Sequence, residues 1–389
     1  MNTGRHVLSQ IVNFVHWEKL QRLARRYEPN QKIKHFGFRQ QFICMVFAQL
    51  TWREGLRDIE TSLNARPECL YHLGFEKPIA RSTLAEANEQ RDWRVWQDLG
   101  HWLIPKARKL YEAEDLGLEL DNSIYALDST TIDLCLKLFP WADFRSTKAG
   151  IKMHTQLDLR GSIPSVIDIT PAKKADVRWL DDLAFESGSF YIMDRGYIDF
   201  KRLFVIAETQ AFFVTRAKDN LRFTRHYSMP VDDSTRVRSD QVGKLTLPKA
   251  REDYPTQFRK IRFYDAEHKR YLVFLTNNLQ LSAEVIARLY KMRWGVELFF
   301  KWIKQNLRIK HFYGNSLNAV KTQIWISIVV YLIIAILHKK FKLPGSLHRS
   351  LQLLSVHPFE KIPIDQLLAK RDFRNNETST SNQLTLFDF

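Results

Sequence analysis

Between Tyr290 and Lys304 the chain reads YKMRWGVELFFKWIK. At about 100° per residue, Tyr290, Arg293, Glu297, Lys301 and Lys304 fall within roughly 80° of one another on a helix and form one polar stripe. The rest of the circumference is Trp294, Val296, Leu298, Phe299, Phe300, Trp302, Ile303 and Leu307, a pattern that predicts a helix buried on its other sides. Unpaired charge is costly in a protein interior, so such a stripe must face a partner, a metal or a water-filled groove. The plain alternative is a surface i,i+4 pair of Arg293 and Glu297, worth about 0.3–0.5 kcal/mol. The apolar surroundings and the other stripe members argue against it.

A glutamate facing a groove needs further oxygen donors before it can hold a hard divalent cation. Two aspartates are candidates: Asp128 within the β-type run YALDST, and Asp194 in MDRGY, directly after the apolar run Phe190 to Met193. A carboxylate at a strand end stands at the rim of a sheet. Taken singly, each reads equally well as a turn or capping aspartate. Asp194 lies 66 residues beyond Asp128 and Glu297 another 103 beyond that, so only folding can unite them.

The elements around these residues predict a mixed α/β core preceded by helices. Residues 1–118 read as an all-α domain with apolar positions such as Leu56, Ile59 and Leu63 at helical spacing; short helices broken near Pro67, Gly74 and Pro78 fit a helix-turn-helix-like DNA reader or a plain bundle. The pattern predicts strands at Ile124 to Leu134, Ile151 to Leu159, Ser165 to Ile169 and Phe190 to Met193, with helices near Val177 to Phe185 and from about Ile198 to Glu208. The domain reading is 119–211 for the first part of the core, 212–281 for a β-rich insertion, 282–345 for the second part, and 346–389 for a C-terminal segment. Ser282 is expected to cap one long helix carrying the stripe.

The motifs resemble those of the DDE transposases of bacterial insertion sequences, specifically the insertion-sequence-four family. That family's Y-(2)-R-(3)-E-(6)-K signature is met by Tyr290, Arg293, Glu297 and Lys304; its aspartate motifs match Asp128 in YALDST and Asp194 in DRGY. The resemblance covers about residues 120–340. It implies a ribonuclease-H-like fold with a β-rich insertion, catalysis and metal binding by Asp128, Asp194 and Glu297, and two Mg²⁺ ions for which Mn²⁺ can substitute. It further implies cleavage of double-stranded DNA at terminal inverted repeats, strand transfer through a hairpin intermediate, and a dimer joining two ends. Tyr290, Arg293, Lys304, Lys301 and Arg195 are the expected DNA contacts; Lys152 and His154, alternating on a neighbouring strand, read either as further DNA contacts or as ordinary surface residues. A catalytically silent DNA-binding regulator and a repair nuclease are the competing readings. The intact carboxylate set and the lysine of the signature disfavour them.

Composition agrees with a polyanionic partner: 59 Lys and Arg against 43 Asp and Glu give a net charge of +16. Residues 121–210 carry slightly more acids than bases, while 211–389 are strongly basic, as a carboxylate site flanked by phosphate-binding surface requires. Three scattered cysteines exclude a disulfide framework and a thiolate metal site. Ile324 to Leu337 is free of charge but short of the roughly 20 residues a membrane span needs, so a buried core helix and a cytoplasmic, nucleoid-associated protein are expected. At the C-terminus, a polar tail ends in Gln383, Leu384, Thr385, Leu386 and Phe387, which resembles the Q-L-x-L-F peptide that docks on the replication sliding clamp.

Overall fold

The structure is a computed structural model describing residues 4–29, 35–145, 148–232, 234–307, 309 and 311–369. The tail motif Gln383, Leu384, Leu386 and Phe387 lies outside the described residues.

Seven helices come first: α1 (Val7–Val12), α2 (Trp17–Tyr27), α3 (Phe38–Leu50), α4 (Leu56–Asn64), α5 (Pro67–Leu73), α6 (Arg81–Gln90) and α7 (Arg94–Tyr111). Ten strands follow: β1 (Ile124–Leu134), β2 (Asp143–Arg145), β3 (Lys148–Asp158), β4 (Ile163–Pro171), β5 (Phe190–Met193), β6 (Phe212–Arg216), β7 (Phe223–Ser228), β8 (Val237–Leu245), β9 (Phe258–Asp265) and β10 (Arg270–Thr276). Among them lie α8 (Phe200–Glu208) and α9 (Pro248–Asp253); after them come α10 (Ala283–Met292), α11 (Trp294–Asn306), α12 (Leu317–Lys340), α13 (Leu347–Val356) and α14 (Ile364–Ala369).

The ten strands among the described residues form one mixed sheet. At one end of it β4, β3 and β1 are antiparallel neighbours, and β5 and then β6 run parallel to β1. This is the ribonuclease-H-like arrangement: a three-stranded meander extended by two parallel strands whose connections cross over through helices. The sheet continues past β6 through β10, β9 and β8 to the edge strand β7. The expected insertion, residues 212–281, is therefore hydrogen-bonded into the core through β6, its own first strand, which pairs with β5 on one side and β10 on the other.

The two faces bury different clusters. One face, with Tyr125, Leu127, Tyr191, Met193 and Phe213, packs against Leu203 and Ile206 of α8 and Tyr254 beyond α9. The other, with Ala126, Ile192, Val214 and Phe274, packs against α10 and α11 and joins the large core shared with the N-terminal helices. α12 runs through that core, its residues from Ile324 to Leu337 buried, against α7, α3 and α6. It is long and apolar enough to cross a membrane by composition, yet its surface is covered by these helices. Gly100 permits the approach of α7, since a methyl there would stand 3.0 Å from the Trp325 ring.

Two expectations differ from what forms. Val177 to Phe185 makes a 3₁₀ segment, Asp176–Asp182, in place of a longer helix. The signature helix is interrupted: Arg293 lies between α10 and α11, its N–H bonded to the carbonyl of Tyr290 and its carbonyl to the N–H of Val296, three residues each way. The local tightening turns Trp294 outward, leaving it 49% exposed where the helical wheel predicts burial.

Candidate active site

Burial along β1 explains where Asp128 stands. Ile124 to Leu127 are buried, and at Asp128 the strand emerges from the core. Leu127 is in register with Met193 of the parallel neighbour β5, so the next residues, Asp128 and Asp194, stand side by side where both strands leave the interior. α11 packs against β1 and carries Glu297 to the same place. Arg293 joins the first and third carboxylates: Nη1 donates to Asp128 Oδ2 at 3.1 Å and Nη2 to Glu297 Oε1 at 2.6 Å. The i,i+4 contact of Arg293 and Glu297 thus exists, but as part of a partly buried three-residue array.

Burial pushes the Asp128 carboxyl up to about 6, and the neighbouring charges of Asp194 and Glu297 add to this. The Ser129 N–H, 2.8 Å from Oδ1, and Arg293 act in the opposite direction without prevailing. Tyr197 lies buried near both aspartates; burial first, then Asp128, Asp176 and Asp194, keeps its hydroxyl protonated. Asp194 also serves its own turn, accepting from the Gly196 N–H at 2.5 Å. A Cβ at 196 would lie 2.7 Å from that carboxylate oxygen, which accounts for the glycine of DRGY.

The other expected residues are distributed unequally. Tyr290 packs on Phe274 with ring centroids 4.9 Å apart, and burial raises its pKa despite the nearby Arg293 and Arg216. Lys304 Nζ donates to the Thr131 carbonyl at 3.0 Å, three residues along β1 from Asp128. Lys301 is exposed, and Arg195 is half exposed with Asp219 at 3.7 Å.

His154 does not reach solvent: it is fully buried, stacked on Trp179 at 5.2 Å, with Nε2 3.0 Å from Thr170 Oγ1. Burial lowers its pKa to about 4, so it is a neutral core histidine, and both surface readings of it, DNA contact and plain exposure, are corrected. Lys152 is likewise turned inward, 2.9 Å from both Asp176 Oδ1 and the Lys174 carbonyl. Asp176 in turn accepts from Ser129 Oγ at 2.6 Å. This polar network behind Asp128, together with Arg216 near Tyr290, was not anticipated from sequence. Asp176 lies in an ordinary polar turn, ADVR, and only the fold brings it beneath β1.

The donor set fits a hard divalent cation: three carboxylates, 22% and 34% exposed at Asp128 and Glu297, with no competing thiolate or imidazole in the set. A separate group, Asp265, Glu267 and His268, sits on the exposed turn between β9 and β10, several strands away from β1, and is paired with Arg270 and Lys291.

A family model described as a transposase DDE domain matches residues 119–333, more than half of the chain. The chain belongs to the DDE transposase family. A second model, for a domain of unknown function, matches residues 3–76. The transposase is 34% identical over 257 residues to the Sinorhizobium fredii protein named as transposase y4zB, covering 65% of this chain and 70% of that one. It is 30% identical over 228 residues to the Geobacillus stearothermophilus protein named as transposase for insertion sequence element IS5377, covering 58% of this chain and 59% of the relative. It also resembles, with 10% identity and a TM-score of 0.44, a structure of the piggyBac transposase synaptic complex with hairpin DNA, over 92% of this chain and 78% of the other.

Proposed function

We propose that this transposase binds the terminal inverted repeats of its insertion sequence and performs metal-dependent cleavage and strand transfer, with Asp128, Asp194 and Glu297 as metal ligands. The observation that carries the reading is the meeting of two strand-end aspartates, side by side across β1 and β5, with a helix glutamate tied to the first of them through Arg293. The carboxylates would hold two Mg²⁺ ions, or Mn²⁺ in their place, which when bound supply Lewis-acid stabilisation of the attacking and leaving oxygens. Arg293, whose Nη1 and Nη2 hold Asp128 and Glu297, would turn its in-plane donors to a phosphate once cations take those carboxylates; Lys304 and Lys301 add point charges along the same helix. Tyr290, held on Phe274, sets the position of Arg293 at the junction of α10 and α11. Tyr197 stays neutral and adds no charge beneath the aspartates.

Water attack at the element's end would free a 3′-hydroxyl, which then attacks DNA phosphate; the family resemblance supports a hairpin between the two steps and a dimer joining two ends. The tail motif at Gln383 to Phe387 supports docking on the replication sliding clamp, which a peptide of residues 376–389 tests directly in a binding assay.

The central test uses end-labelled DNA carrying the terminal repeats. Asp194→Asn and Glu297→Gln are expected to abolish cleavage in Mg²⁺ and retain end binding. Substantial cleavage by either variant removes that residue from the site. Nicking without strand transfer by the wild-type protein points to a nuclease.

A further inference from the structure

The helices that cover the sheet do not extend over all of it. On the face packed against α8 and α9, β9 begins with Phe258, buried beside Tyr254, and two residues at a time it opens through Lys260 to Arg262 and Tyr264. Tyr271 of β10 stands opposite Tyr264 in the register, with ring centroids 5.2 Å apart, and is 52% exposed. Each ring has a guanidinium over it: Arg262 at 4.2 Å from the Tyr271 centroid and Arg238 at 6.0 Å from that of Tyr264. Nearer the edge, Lys260 lies 4.6 Å from the Phe223 ring, and Arg225 continues the same face on β7.

Strand positions sharing this face are Phe223 and Arg225, Ser239 and Gln241, Lys260, Arg262 and Tyr264, and Tyr271 and Val273; none is acidic. The carboxylates of the candidate site leave the opposite face, and β9 is four strands from β1. This surface therefore serves something other than the scissile phosphate.

We propose that the open face of the distal sheet binds unpaired DNA, stacking bases on Tyr271 and Tyr264 while Arg225, Arg238, Lys260 and Arg262 follow the phosphates. Charge complementarity selects a polyanion. The exposed Tyr271 ring, half-buried Tyr264 beside it and the planar guanidiniums select its unpaired form, because a duplex keeps its base faces inside its own stack. The proposal rests on the reading of the chain as a DNA-cutting transposase, whose strand breaks create unpaired nucleotides.

The test measures fluorescence anisotropy of a labelled 15-nucleotide single strand, and of the same sequence as a duplex, with the full chain in chelator so that no cleavage occurs. Tyr271→Ala is expected to weaken single-strand binding by about 5- to 160-fold, the range for loss of one stacked base, and to leave duplex binding within about twofold. Tyr271→Trp is expected to restore binding, and Arg262→Gln to reduce the single-strand salt slope by about 0.7. Unchanged single-strand affinity in Tyr271→Ala overturns the proposal and leaves the face to a protein partner. Equal loss on both DNA forms, or failure of Tyr271→Trp to rescue a variant whose unfolding midpoint matches wild type, overturns it as well. Cleavage of terminal-repeat DNA by the wild-type protein is scored separately: cleavage without the stacking effect rejects only this face, and the stacking effect without cleavage rejects only the catalytic reading.

Discussion

Replacing Asp128 by Asn should stabilise the metal-free protein at neutral pH while destroying its ability to cleave. Burial and two neighbouring carboxylates raise the Asp128 pKa from an ordinary 3.8 to about 6. Each pH unit of displacement corresponds to about 1.4 kcal/mol, so holding this carboxylate ionised costs the folded state about 3 kcal/mol at pH 7.5. The side chain is 22% exposed, and the asparagine gives up a charge-assisted bond from Arg293, so a net gain of about 1–3 kcal/mol is expected. Because the folded pKa lies above the unfolded one, the folded state binds the extra proton between about pH 4 and about pH 6. Wild-type stability from this group is therefore greatest below pH 4 and falls as pH rises through 6, whereas the asparagine variant lacks the fall. Urea denaturation in chelator at pH 4.5 and 7.5 measures the difference. An asparagine variant less stable than wild type at pH 7.5, or a difference that does not change with pH, refutes the reasoning.

The same displacement predicts that Mn²⁺ affinity, measured by electron paramagnetic resonance or calorimetry, weakens as pH falls through about 6, since a protonated Asp128 is no longer a ligand; affinity independent of pH between 5 and 7.5 removes Asp128 from the set. Lys304→Ala is expected to lower the salt slope of end binding by about one, as for one lost phosphate contact. An unchanged slope confines Lys304 to its bond with the Thr131 carbonyl. Gly196→Ala forces the Asp194 carboxylate out of place, and cleavage should fall by more than about tenfold with little change in unfolding midpoint. Wild-type cleavage by this variant shows that the carboxylate has room to move. Asp240→Ala strands Arg259, whose guanidinium is buried with Nη2 2.5 Å from Asp240 Oδ2, and should cost about 3–5 kcal/mol by chemical denaturation. A loss below about 1 kcal/mol means that water or the Leu281 carbonyl, 2.5 Å from Nη1, satisfies the charge.

Much of the core was readable where burial imposes a pattern. β5 has the predicted ends because Phe190–Met193 is an apolar run bounded by turn residues, and β1 because Ile124–Leu134 joins a buried apolar start to a stretch rich in β-branched Thr130, Thr131 and Ile132. β7 was missed for the opposite reason: FTRHYS is an edge strand exposed along nearly its whole length, so no alternation marks it. The break at Arg293 was hidden because the polar stripe from Tyr290 to Lys304 keeps helical spacing straight through it; Gly295, a poor helix former two residues on, was its one local signal. The candidate carboxylates were named by motif, but their adjacency depends on a register between strands 66 residues apart, which local sequence does not encode. His154 was misread because alternation on β3 shows which residues share a face and leaves open whether that face is covered, here by Trp179.

The passage of the sheet from core into insertion has an architectural consequence. β10 is the last strand of the segment 212–281, the neighbour of β6, and the element that leads into α10. Asn277 fastens that exit, its amide donating to the Ala211 carbonyl and its carbonyl accepting from the Phe213 N–H. The segment is therefore no detachable module to be trimmed or exchanged between relatives at residues 212 and 281: excision would remove β6, bare the edge of β5 and loosen the helix that precedes Arg293. Grafting is tolerable at the opposite extremity, the exposed turn at 266–269, where new sequence can be spliced without touching a hydrogen bond that holds the two halves of the core together.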